Sequence, residues 1–169
     1  MRLSNQKPSR GKKKIPSIEK EMNNGKTVLA SGVFDLLHLG HVKFLEEAKK
    51  TGGKNARLVV IIARDSTVIG TKAKKPIMPE NQRRTLVQSL RVVDEAILGL
   101  EGFEIGDIIN QVKPDVIALG YDQVQMEKQV RKYIEENKLN ATVARIAKFD
   151  AEELDSSSKI KQKIVKSER

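Results

Sequence analysis

Both histidines of this 169-residue chain fall within four residues, His38-Leu39-Gly40-His41, between the end of an apolar strand pattern and the first turn of a helix. Free N–H groups at a helix N-terminus attract phosphate, a glycine lets a substrate approach the backbone, and two imidazoles can donate hydrogen bonds to one anion. The residues leave three readings open: an anion site, a pair packed at a helix start for structure alone, and a metal site with Asp35 as third ligand. For the last, the chain has no further His or Cys to complete the set. Three more polar clusters follow apolar runs in the same way: Arg64 to Thr67, Gly120-Tyr121-Asp122, and Asp155-Ser156-Ser157-Ser158.

The elements that must position these groups are legible from periodicity. Thr27 to Ala30 is a short apolar run ending in Ser31-Gly32, and Val42, Leu45 and Ala48 then recur at helical spacing before Thr51-Gly52-Gly53. Leu58 to Ala63 is apolar throughout, as a strand buried on both faces of a parallel sheet requires. Residues 71–79 form a Lys- and Pro-rich loop, and Pro79-Glu80 opens a helix whose stripe is Leu86, Val87, Leu90 and Val93. Strands at 95–98, 115–119 and 142–146 alternate with helical stretches near 105–112 and 124–137, and the Ser cluster caps a final helix carrying Ile160, Ile164 and Val165. Five strands alternating with helices predict a single α/β domain with a doubly wound parallel sheet, whose ligands sit beyond the carboxyl ends of the strands. All four polar clusters lie at that edge.

Composition bounds the function. No cysteine means no disulfide scaffold, no zinc-thiolate site and no thiol nucleophile, and a cytoplasmic setting is expected. The longest apolar run is six residues, far short of the ~20 that span a bilayer. The net charge of +10 sits mostly at the ends: residues 1–25 hold seven Lys/Arg against two Glu and residues 159–169 five against one, while the body between is nearly neutral. A nucleic-acid surface built into the fold would leave a basic stripe in the body, so nucleic acid is not the expected partner and residues 1–25 read as a basic tail ahead of a domain at 26–169.

Gly32-Val33-Phe34-Asp35-Leu36-Leu37-His38-Leu39-Gly40-His41 matches the pattern G-x-F-D-x-x-H-x-G-H, and on it the chain resembles the cytidylyltransferase-like nucleotidyltransferases. Three further matches follow in order. Lys72-Ala73-Lys74-Lys75 is similar to the family's lysine loop, Pro79-Glu80 with Arg83-Arg84 to its arginine-bearing helix, and Ser156 to Ile160 to its phosphate-binding helix start. The combination of Ala63-Arg64-Asp65, Pro76 to Glu80, Val93 to Gly99 and Leu119 to Gln123 is most similar to archaeal-type FAD synthetases, and the stretch 150–155 lacks the arginine of glycerol-phosphate cytidylyltransferases.

The resemblance implies a Rossmann-like nucleotidyltransferase fold and transfer of AMP from ATP to FMN, with a cytidylyltransferase acting on a small phosphorylated alcohol as the alternative and a non-catalytic nucleic-acid-binding protein as a third. It implies His38, His41, Lys72, Lys75 and Arg84 as catalytic groups, Arg84 matching the family's arginine better than Arg83. It implies Val33, Phe34, Asp35, Gly40, Asp122, Ser156, Ser157 and Ser158, with the histidines, as nucleotide contacts. Magnesium would be held mainly by the triphosphate, and a homodimer is expected by analogy. Tyr121, Phe34 and Phe149 are candidates to stack on a base or an isoalloxazine ring.

Overall fold

Residues two apart along a strand face the same side of a sheet, and in the computed structural model this divides the interior into two cores. The structure describes residues 25–72, without the Lys72 side chain, and 75–100, 105–149 and 154–167. The tail expected over residues 1–25 lies, but for Gly25, outside the described residues, as does Lys74. The elements in chain order are β1 (Thr27–Gly32), α1 (Leu39–Lys50), β2 (Arg57–Ile62), α2 (Asp65–Lys72), α3 (Glu80–Gln88), β3 (Glu95–Leu98), α4 (Ile105–Val112), β4 (Val116–Gly120), α5 (Val124–Glu136), β5 (Thr142–Ile146) and α6 (Ser157–Ser167).

All strand pairs are parallel, in the order β3-β2-β1-β4-β5. On one face Val28, Ala30, Leu58, Val60 and Ala118 pack against Leu45 and Ala48 of α1 and Val87 of α3. On the other, Leu29, Val59, Ile61, Ile117 and Leu119 pack against Ile108, Ile109 and Val112 of α4 and Val130 of α5. Strands apolar on both faces are what a sheet covered by helices on both sides needs. The order reverses between β1 and β4, and there Gln123 stitches the crevice: its Oε1 accepts from Gly120 N at 2.7 Å and its Nε2 donates to Ser31 O at 3.3 Å. Among the described residues no helix is long and apolar enough to cross a membrane.

Two local expectations are corrected. Arg64 to Thr67 reads as a polar strand end and residues 71–79 as a loop, but Asp65–Lys72 form α2, whose first amide, Asp65 N, finds its acceptor in Glu80 Oε2 at 2.8 Å, fifteen residues onward. That cap is tertiary, so no sequence window contains it. Leu86, placed in the apolar stripe of α3, is 39% exposed; the buried positions of that helix are Arg83 and Val87.

Candidate active site

The loop after β1 holds a conformation its sequence does not favour. Phe34 and Leu36 both take positive φ, 53° and 50°, a left-handed backbone that costs a bulky residue about 1–3 kcal/mol each and survives only where the surroundings enforce it. Phe34 is fixed by burial. Its ring lies so close to Gly32 that a Cβ there would come within 2.8 Å, and it packs 5.2 Å from the His41 ring. This removes Phe34 from the aromatics free to stack on a ligand.

Asp35, between the two strained residues, is fixed by hydrogen bonds. Its carboxylate accepts from the backbone N–H of Ile77 at 3.1 Å and of Met78 at 3.0 Å and from Lys161 Nζ at 3.0 Å, while its carbonyl accepts from Ser157 Oγ at 2.5 Å. Burial alone would raise the pKa of this carboxyl. The Met78 and Ile77 amides and Lys161 outweigh burial and hold it below the ordinary carboxylate value. Asp35 was expected to touch the nucleotide; the structure commits its carboxylate to the protein.

Arg83 performs the matching task with positive charge. Its guanidinium is fully buried and donates through Nε to Met78 O at 3.0 Å, through Nη1 to Val33 O at 2.5 Å, and through Nη2 to Ala63 O at 2.9 Å and Asp65 Oδ1 at 2.6 Å. One planar fork thereby joins the loops after β1 and β2 to the segment before α3. Arg84, expected as a catalytic group, reaches only Thr85 Oγ1 at 3.4 Å among the described residues, and neither it nor Arg83 lines the cleft. Arg83, Val87 and Leu90 stand at i, i+4 and i+7 on the core face, and the next residue is turned about 100° away. That spacing was the signal by which sequence could have chosen Arg83.

The histidines sit where α1 begins. His38 is the residue before the helix, with φ −140° and ψ 171°, and no side chain caps the first turn. The two rings stack with centroids 3.7 Å apart, and Nδ1 of each is buried without a partner among the described residues. Burial, then the neighbouring His38, pushes the His41 pKa down to about 4, against a weaker pull upward from Asp35. Burial also lowers that of His38, opposed by Asp155. At neutral pH both rings are uncharged hydrogen-bond donors. Gly40 between them was expected to admit a substrate. Its open side is taken instead by the Asp155 carbonyl, 2.5 Å from where a Cβ would stand.

A cleft of about 1810 Å³ opens along the carboxyl edge of the sheet. It is lined by Val33, Phe34, Asp35, His38, Gly40, His41, Lys75, Asp122 and Ser156 to Ser158, so the structure gathers all the described sequence-expected residues except Arg84 around one cavity. The Lys72 side chain lies outside the described residues. Lys75 is exposed at the rim. Asp122 does not cap α5, whose preceding residue is Gln123 without a side-chain cap, and its carboxylate has no partner among the described residues. Tyr121 and Phe149 stand at the rim, 47% and 39% exposed. Within the Ser cluster the tasks divide: Ser156 Oγ accepts from Lys159 N at 3.3 Å and caps α6, Ser157 Oγ is given to Asp35, and Ser158 is exposed.

Among the described residues no group of three His, Cys, Asp or Glu could hold a metal, and the carboxylates of Asp35, Glu47 and Asp155 are bound to Lys161, Lys50 and Lys159.

Sequence and structure comparisons agree with this geometry. Residues 29–163 match the cytidylyltransferase-like family. The chain is 49% identical over 143 residues to the FAD synthase of Methanothermobacter marburgensis, covering 85% of this chain and 88% of that one. It is 51% identical over 140 residues to the FAD synthase of Ferroglobus placidus, covering 83% and 88%. A solved structure from Thermoplasma volcanium, described as a lipopolysaccharide core biosynthesis protein, superposes with a TM-score of 0.68 at 45% identity over 75% of this chain and 99% of that one. Pantothenate synthetase from Thermus thermophilus, at 16% identity and a TM-score of 0.56 over 75% and 57%, shares the fold.

Two outcomes are expected. Arg83→Met leaves three carbonyls and Asp65 short of a buried donor and lowers unfolding free energy by about 3 kcal/mol or more in urea titrations, whereas Arg84→Ala changes it by less than ~0.5 kcal/mol. Because His41 resists protonation when folded, the unfolded chain binds the extra proton as pH falls from 6.5 toward 4, so stability declines through that window. Thermal unfolding across pH 4–7 should show this slope in the parent and a flatter one in His41→Asn.

Proposed function

We propose that this chain, which belongs to the cytidylyltransferase-like family, is an FAD synthase that transfers AMP from ATP to FMN and releases pyrophosphate. The observation that carries this reading is identity near one half with the FAD synthases of several archaea, over more than four fifths of the chain. The chemistry suits the groups present. A phosphomonoester with a second pKa near 6 arrives ionised, so its oxygen can attack the α-phosphorus without a general base. An O–P bond forms in line with the bond to the β-phosphate, which breaks as pyrophosphate leaves.

Catalysis then consists of holding the reactants in line and stabilising the charge on the phosphate oxygens. His38 and His41, neutral and stacked at the start of α1, are the donors proposed for the α- and β-phosphates. The starts of α1 and α6, with Ser158 and the hydroxyl hydrogen of Ser156, supply donors for the remaining oxygens. Lys75 at the rim, with Lys72, is proposed to close on the triphosphate, and Asp122 with Tyr121 and Phe149 to bound the base. A nucleotide anion against the imidazoles raises their proton affinity, so binding takes up protons below about pH 6.5. A divalent cation would enter on the triphosphate. A cytoplasmic location and a homodimer are inferred by analogy with the family.

The test is a matrix of ATP and CTP against FMN and glycerol phosphate in the presence of Mg²⁺, followed by chromatography. FAD from ATP and FMN is expected, with some CTP use remaining, since size alone discriminates bases by ~10–200-fold; CTP with glycerol phosphate turning over tenfold faster than ATP with FMN would overturn the reading. In the same assay His41→Ala should keep its circular dichroism and lose about 10²–10³ in kcat, the loss that follows removal of one preorganised donor. A variant within threefold of the parent would remove the histidine pair from the mechanism.

A further inference from the structure

α6 is held to the rest of the fold in an unusual way. None of its eleven residues is buried, and Ile164 and Val165 are 49% and 56% exposed. A helix that buries no apolar face depends on its polar contacts to keep its place. Two of those contacts meet on one residue. Ser157 Oγ donates to Asp35 O at 2.5 Å and Lys161 Nζ donates to Asp35 Oδ2 at 3.0 Å. Ser157 and Lys161 are one turn apart and so lie on one face of the helix. The other basic residue of the first turn, Lys159, is taken by Asp155 at 2.7 Å. On its opposite side the same Asp35 carboxylate holds the backbone of Ile77 and Met78, two residues beyond Lys75.

We propose that Lys161 is a positioning residue for nucleotidyl transfer: its ion pair with Asp35 seats the start of α6, and with it Ser156 to Ser158, on the carboxylate that also fixes the lysine-bearing loop. The proposal rests on the nucleotidyltransferase reading above. Lys161 lines the cleft, and its ammonium is engaged by the Asp35 carboxylate. Without its charge the side of α6 that faces Asp35 keeps the Ser157 contact alone among the described residues, and both α6 and residues 75–79 lie outside the sheet, so their loosening is local opening and not loss of the fold. The pair is half open to water on the lysine side, with side-chain exposures of 42% and 8%, which bounds the effect at roughly tenfold.

The test compares the parent with Lys161→Met and Lys161→Arg in the full chain. Lys161→Met should speed amide hydrogen exchange in residues 157–165, weaken ATP binding measured by calorimetry without FMN by roughly tenfold, and raise KM for ATP more than it lowers kcat. The melting temperature should stay within about 2 °C of the parent, and Lys161→Arg should restore exchange protection and affinity. Lys161→Gln, which keeps a polar surface, guards against an effect of the methionine itself and should behave as Lys161→Met does. Exchange and affinity within twofold of the parent in both neutral variants, or no restoration by arginine, would overturn the proposal. A parent chain that binds ATP but forms no FAD would overturn the FAD synthase reading and leave the Lys161 comparison standing.

Discussion

The site depends on a buried negative charge. Asp35 sits between two residues forced into left-handed backbone, and its carboxylate is reached by the amides of Ile77 and Met78 from one side and by Lys161 from the other. A carboxylate taken out of water is costly unless donors replace the water. Here the donors come from segments forty and more residues away, so meeting that demand also fastens three loops. The strained turn persists because releasing it would strand these partners together.

Arg83 is the cationic counterpart, buried with a different set of acceptors. Its fork takes carbonyls after β1 and β2 and before α3, groups at strand ends that a parallel sheet leaves without ladder partners. Asp35 and Arg83 share Met78, whose N–H goes to the first and whose carbonyl goes to the second. The lining of the cleft is thereby built on two engaged ions, and the groups left over for a ligand are two uncharged imidazoles, the starts of two helices, the exposed Lys75 and the carboxylate of Asp122, which has no partner among the described residues.

That division clarifies the histidines. Packed against Phe34 and against each other, with Nδ1 buried on both, they are held uncharged and oriented before any ligand arrives. Donors fixed in advance need no reorganisation when charge spreads over phosphate oxygens.

Periodicity and motif spacing in the chain determined the parallel sheet, the order of its elements and the four polar clusters at its carboxyl edge, because side-chain direction repeats every two residues in a strand and every 3.6 in a helix. They also determined that the histidine pair opens α1. What only the tertiary structure decided are the partnerships between distant residues. Asp35 read as a ligand contact and is an anchor. Arg84 matched the family's arginine better, but Arg83 is the one that turns inward. Gly40 makes room for the Asp155 carbonyl, and α2 forms on a cap supplied by Glu80. Each outcome was set by which donor and acceptor met in a buried place, a property of the folded chain that no local window of sequence contains.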